Sequence, residues 1–226
     1  MLANFSHNYT LTTMIKVWLG KLKRILKPNK SAKDKAFVAL YSIKFEEGDI
    51  AIDCGANIGN VSNYLCKSGA TVYAFEPNPH AYKVLAKRLS KYPDAHYYRQ
   101  AVLDRDTTTK LYFHNNSDTN ELLWSTGSSL LHEKGNVRKD KFVEVEAIDL
   151  SEFIVNLQTD IKLLKLDIEG VEHSVLTKLI NRGLHKRIEY IFVETHEEQA
   201  HHLQSATHKI KALIKSNNIT NINLHW

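Results

Sequence analysis

The stretch Asp49-Ile50-Ala51-Ile52-Asp53-Cys54-Gly55-Ala56-Asn57-Ile58-Gly59-Asn60 decides how the rest of the chain is read. Ile50, Ala51 and Ile52 form a short apolar run bounded by carboxylates, the pattern of a buried strand. Gly55 to Gly59 is a glycine-bearing turn, and Val61 to Lys67 continues as an amphipathic helix. Strand, Gly-rich turn and helix together bring backbone N–H groups close to a ligand at a helix N-terminus. The spacing is Asp-x-Gly-x-x-x-Gly, however, with Asn57 where a dinucleotide fold brings its second glycine against a pyrophosphate. An acidic residue at the strand end suits a cationic ligand better than a diphosphate, which points away from NAD.

The following strand, Ala70 to Phe75, ends at Glu76 with Pro77-Asn78-Pro79 behind it. Glu76 lies about twenty residues beyond the turn, where a carboxylate at the second strand tip accepts ribose hydroxyl protons. Acidic residues at two adjacent strand tips describe a pocket for an adenosine with a positive tail, and S-adenosyl-L-methionine fits that description. The bland alternative has Asp53 capping the turn and Glu76 as a solvated loop charge.

The chain is 226 residues long, enough for one α/β domain with a short appendage. Its 43% hydrophobic and 24% charged residues are globular rather than disordered values. The net charge of +5 admits anionic substrates or a membrane surface but is too mild to indicate nucleic acid. Cys54 and Cys66 have no metal-type spacing, so they read as buried thiols of a reducing, cytoplasmic compartment. We divide the chain into a basic amphipathic helix and linker at residues 1–35 and a catalytic domain at 36–226. Leu11, Met14, Ile15, Trp18, Leu19, Leu22, Ile25 and Leu26 share one side of that helix, and Lys16, Lys21, Lys23, Arg24 and Lys27 lie around the rest. The stripe suits packing on the domain, a peripheral membrane contact or a partner helix. No apolar run is long enough to span a bilayer.

Further along, a helix is expected from His80 to Ser90 and a third strand from His96 to Val102. Alternation over Lys110–His114 and Lys141–Ala147 suggests half-exposed, antiparallel strands. The polar segment between them, with Ser125-Thr126-Gly127-Ser128-Ser129, is either a lid or a hairpin connection. Ile161 to Glu169 reads as a central strand, with Lys165, Asp167 and Glu169 on one side. A lysine and two carboxylates there must pair or do chemistry, since burying them singly is costly. Gly170 opens a helix from Val171 to Asn181, with Glu172 in its first turn as the helix dipole favours. Ile188–Val193 is the fifth parallel strand, followed by Glu194 and His196. A helix from Ala200 to Lys215 and a last strand at Asn221–Leu224 complete the reading.

The blocks Asp53-Cys54-Gly55-Ala56-Asn57-Ile58-Gly59, Phe75-Glu76-Pro77-Asn78-Pro79 and Lys165-Leu166-Asp167-Ile168-Glu169-Gly170-Val171-Glu172 resemble the signature blocks of FkbM-type S-adenosylmethionine-dependent methyltransferases. The resemblance covers Asp49 to Leu213, and its specific part is the Lys-x-Asp-x-Glu-Gly block. It implies an α/β, Rossmann-like class I sheet, mostly parallel and of seven-stranded type, abbreviated at its C-terminal edge and with helices on both faces. It also implies O-methylation of a hydroxyl on a sugar, glycan or secondary metabolite. Carried over by position, Asp53, Gly55, Ala56, Asn57, Gly59 and Asn60 hold the methionine end of the cofactor. Glu76 with Pro77 holds the ribose, and Gln100 with Ala101 flanks the adenine. Lys165, Asp167, Glu169, Glu194 and His196 are the catalytic candidates, taking the acceptor's proton or holding a divalent ion such as magnesium that acidifies it. The metal-assisted and metal-free routes both stay open. Two other functions compete: a nucleic-acid 2′-O-methyltransferase, and a silent module that binds the cofactor without turnover. The charges are too dispersed for a strand-binding groove, so no nucleic-acid partner is expected.

Overall fold

The computed structural model describes residues 31–119, 121, 122, 124–130, 135, 137–197 and 201–226. The amphipathic helix expected before Pro28, and parts of the polar segment after Asn115, lie outside the described residues. The chain divides after Ile43 into two compact units. Within the first, α1 (Ala32–Ser42) begins at a capping box formed by Ser31 and Asp34. The Ser31 hydroxyl accepts from the Asp34 N–H at 3.1 Å. The second unit is Lys44–Trp226.

This second unit is built on a parallel sheet of six strands among the described residues. The strands are β1 (Ile50–Cys54), β2 (Thr71–Phe75), β3 (Ala95–Tyr98), β7 (Ile161–Leu166), β8 (Ile188–Val193) and β9 (Ile222–Asn223), in the order β3-β2-β1-β7-β8-β9. Helices α2 (Asn60–Lys67), α3 (Pro79–Leu89), α5 (Glu172–Asn181) and α6 (His201–Ser216) connect them. All five residues of β1 are buried, as a strand covered on both faces requires. Ile50, Ile52 and Cys54 pack in one core with Ile154, Val175, Leu176 and Leu179. Asp53 points the other way and accepts from Ser62 of α2. Helices therefore cover both faces of the sheet. Among the described residues β9 is the last strand of this sheet, and it pairs with β8 over only two residues, an abbreviated edge as expected.

A second sheet, in the order β4-β6-β5, joins β4 (Ala101–Leu103), β5 (Thr107–His114) and β6 (Val137–Asp149). The β5–β6 pairing is antiparallel, as the alternation suggested. Helix α4 (Leu150–Leu157) leads from β6 to β7 and is capped by Asp149, which accepts from the Ser151 N–H. The single third strand expected over His96–Val102 is two. Its pairing with β2 ends where the Tyr98 carbonyl accepts from the Glu76 N–H, and Ala101–Leu103 crosses to pair with Ala147–Asp149.

The strand order reverses direction between β1 and β7. Strands β2 and β3 follow on one side of β1, and β8 and β9 follow on the far side of β7. Such a switch point opens a crevice beyond the carboxyl ends of the two strands.

Candidate active site

The crevice is lined from several strand tips: Gly55 and Asn57 after β1, Glu76 and Pro77 after β2, and Asp167, Ile168 and Glu169 after β7. Ala101, Val102 and Leu111 from the second sheet add an apolar wall, and Ser125, Ser128 and Ser129 close one side.

Glu76 is 6% exposed and is held by backbone donors. Its Oε2 accepts from the Asn57 N–H at 2.7 Å, and its Oε1 accepts from the Asn78 N–H at 2.8 Å. Burial pushes its carboxyl up to about 7, against these two N–H groups and the charge of Lys165, all of which favour the ionised form. Asn78 also caps α3, accepting from the His80 and Ala81 N–H groups ahead of its fixed Pro79. The serine segment is tied to these same residues. The Asn57 amide donates to Ser125 Oγ and the Asn78 amide to Ser128 Oγ, both at 3.0 Å. Ser129 Oγ donates to the Glu169 carbonyl at 2.8 Å, and Ser129 bridges Tyr112 of β5. The segment is thus a wall of the crevice as well as a connection between strands.

A second group of charges occupies the tips of β7 and β8. Lys165, 3% exposed, lies 3.2 Å from Asp53 Oδ1 and 3.3 Å from Asp167 Oδ2, and it donates to the Gly55 carbonyl at 3.2 Å. Burial works against its charge, but Asp53 and Asp167 outweigh it and hold the ammonium above its ordinary pKa. Asp53 is fully buried between Lys165 and Ser62, so its charge reaches the crevice through the lysine. This differs from the direct contact with a cationic tail expected from the strand-end position, because the β1 pleat turns Asp53 toward α2.

His196 has a positive φ of 51° and is packed behind the carboxylates. Its Nδ1 lies 3.0 Å from Glu172 Oε1 and 3.0 Å from the Glu194 carbonyl, and its Nε2 faces Asp167 Oδ1 and Glu169 Oε2 at 3.6 and 3.5 Å. Burial alone lowers its pKa, but the bond to Glu172 and the charges of Glu172, Glu169 and Asp167 raise it to about 9. The side chains of Asp167 and Glu169 are 24% and 23% exposed, against 4% for His196. The two carboxylates face the cleft; Lys165 and His196 support them from behind.

Strand β7 stops at Leu166, so alternation alone does not carry Glu169 to the site. A left-handed turn does, with φ of 61° at Glu169 and 116° at Gly170. Glu172 secures that turn. It is 1% exposed and accepts from the Ile168 N–H at 2.8 Å and the Gly170 N–H at 3.0 Å. Sequence reasoning saw only a dipole partner in Glu172; the signal available was its place two residues after a glycine whose turn leaves N–H groups to satisfy.

The remaining expected residues are spread differently. Ala101 lines the cleft, but Gln100 donates to Glu146 at 3.2 Å in a neighbouring groove. Ala56 donates its N–H to the Phe75 carbonyl, and Gly59 precedes α2 with a φ of 78°. Asn60 accepts from Arg88 at 2.6 Å. The backbone of Glu194 joins β8 to β7 through the Leu166 carbonyl.

A parallel sheet with its crevice at the β1–β7 switch point and an acidic second strand tip is the Rossmann-like architecture of methyltransferases. Residues 53–218 match the methyltransferase FkbM domain, and the chain belongs to that family. It is 24% identical over 152 residues to the hexuronic acid methyltransferase AglP of Haloferax volcanii, covering 67% of this chain and 57% of that protein. The chain thus spans little more than half the length of this curated relative. Among solved structures, a TehB-like SAM-dependent methyltransferase from Corynebacterium glutamicum is similar at 16% identity, over 38% of this chain and 42% of that one, with a TM-score of 0.23. No helix among the described residues is long and apolar enough to cross a membrane.

Proposed function

We propose that the protein is an S-adenosylmethionine-dependent O-methyltransferase acting on a hydroxyl of a sugar or glycan. The observation that carries this reading is the Glu76 carboxylate, buried and anchored at the tip of β2 beside the β1 turn. Each of its oxygens receives one backbone N–H, which leaves further lone pairs for the two ribose hydroxyls. Pro77, Val102 and Leu111 offer an apolar wall for the adenine. Asp167 and Glu169 offer negative charge to a sulfonium or ammonium group. The residues present therefore fit the cofactor.

S-adenosylmethionine, held by Glu76 at its ribose and by Asp167 and Glu169 at its sulfonium, would supply an activated methyl group. The chain's own task is to align the hydroxyl and accept its proton. Asp167 and Glu169 reach the cleft and are the proton acceptors in this reading. Lys165 and His196, buried behind them, orient them. The sugar class of the acceptor rests on the hexuronic acid methyltransferase relative, and a secondary metabolite with a sugar hydroxyl falls in the same chemistry.

The test is a methyl-transfer assay with S-adenosylmethionine against neutral and uronic-acid saccharides, nucleotide sugars and RNA. The expected result is release of S-adenosylhomocysteine together with a methylated saccharide. Methylation of RNA alone would overturn the acceptor class, and cofactor binding without transfer to any acceptor would favour a silent module.

A further inference from the structure

We propose that Asp167, Glu169 and His196 form a divalent-cation site of the magnesium and manganese class. One ligand atom from each lies within 4.8 Å of the others. His196 Nε2 is aimed between the two carboxylates at 3.6 and 3.5 Å, longer than an ordinary hydrogen bond. Two ligands about 2.1 Å from one ion lie roughly 3.0 to 3.4 Å apart at octahedral to tetrahedral angles, so small side-chain rotations close the set.

Two further features point the same way. The imidazole is more than nine-tenths buried, and its other nitrogen, Nδ1, is engaged by Glu172 at 3.0 Å. A carboxylate on the far nitrogen is the arrangement that turns a ligating histidine toward its metal. Asp167 and Glu169 also keep about a quarter of their side chains on the side open to the cleft, where an ion and its waters can enter. Two carboxylates and one imidazole, with room for water or a hydroxyl, suit magnesium or manganese better than a thiolate-seeking metal.

The role of the ion rests on the function proposed above. An acceptor hydroxyl that ligates the ion would be more acidic, and the carboxylate oxygen of Asp167 or Glu169 left off the ion would take its proton. The freed oxygen pair forms the new C–O bond while the C–S pair returns to sulfur.

The direct test uses the full chain stripped by chelator and titrated with manganese, following loss of the free-ion paramagnetic resonance signal. The expected result is one ion per chain. Binding should be lost in Asp167→Asn, and should be roughly ten- to a hundredfold weaker in Glu172→Gln, which acts through His196 and through the turn that places Glu169. Glu146→Gln, in the neighbouring groove, should bind manganese like the parent. Circular dichroism and S-adenosylhomocysteine calorimetry on each variant establish that the fold and the cofactor pocket persist. No manganese bound at millimolar concentration, or binding that survives Asp167→Asn, overturns the site and makes the cluster a plain ion network. S-adenosylhomocysteine binding without manganese binding would overturn the cation site alone. Manganese binding without S-adenosylhomocysteine binding would support the site while removing the methyl-transfer reading.

Discussion

Gly55 and Asp167 approach so closely that a Cβ added to Gly55 would lie 1.8 Å from the Asp167 carbonyl oxygen. The contact joins the tips of β1 and β7 at the switch point, where the Asp167 N–H also donates to the Cys54 carbonyl at 3.1 Å. Gly55 has a φ of 76° as well, so any side chain there meets both backbone strain and a backbone clash.

Gly55→Ala should therefore destabilise the domain by at least about 3 kcal/mol, a large share of the stability of an ordinary domain. Urea unfolding measures this directly. A loss below about 1 kcal/mol, the usual scale of a surface change, would mean that the β1 and β7 tips separate easily.

On the proposed reading, Glu76 should make cofactor binding depend on pH. Its carboxyl rises from 4.5 to about 7 in the folded protein, so between those values the folded chain holds a proton that the unfolded chain has released. Its contribution to stability is present below pH 4.5 and is lost as the pH rises through about 7. Cofactor affinity runs the opposite way, because the ionised carboxylate is the form that accepts both ribose hydroxyls. S-adenosylhomocysteine should bind about tenfold more weakly one pH unit below the Glu76 pKa than on the alkaline plateau. Glu76→Gln should remove that dependence, and Glu76→Ala should cost about ten- to a hundredfold in affinity at the plateau. Calorimetry across pH 5.5 to 8.5 checks all three; an unchanged pH profile in Glu76→Gln would count against the assignment.

Much of this arrangement was legible in the residues. Continuous apolar runs marked β1, β7 and β8, and the carboxylates just past β2 and β7, with the glycine turn after β1, marked the crevice. Local pattern failed where tertiary pairing decides. Arg99 and Gln100 carry no turn signal, yet the chain leaves one sheet there and enters another because Ala101–Leu103 finds its partner in β6. Alternation placed Lys165 and Asp167 together, whereas Glu169 arrives through a left-handed turn that Glu172 secures from the following helix. The distinction between carboxylates that face the cleft and ions that hold them is a matter of depth. Depth at a strand tip depends on the whole sheet, which is why residue order alone does not rank Asp53 and His196 against Asp167 and Glu169.

Asp167→Asn separates chemistry from binding. The asparagine keeps the shape of the side chain, and Lys165 keeps Asp53 as a partner at 3.2 Å, so the fold should persist. A group that accepts the acceptor's proton is typically worth about a hundred- to ten-thousandfold in rate. Turnover should fall by that order while S-adenosylhomocysteine affinity changes less than tenfold, measured on an acceptor from the saccharide screen. Near-parent turnover would make the Lys165–Asp167 pair a structural ion pair.

The central claim is that the crevice between β1 and β7 binds the cofactor with Glu76 at the ribose and Asp167 and Glu169 at the sulfur. A crystal structure of the full chain with S-adenosylhomocysteine measures this most directly. The account predicts both ribose hydroxyls within hydrogen-bond distance of the Glu76 carboxylate, the adenine against Val102 and Leu111, and the sulfur facing Asp167 and Glu169. A ligand bound elsewhere, or one in this crevice with its ribose away from Glu76, would contradict it.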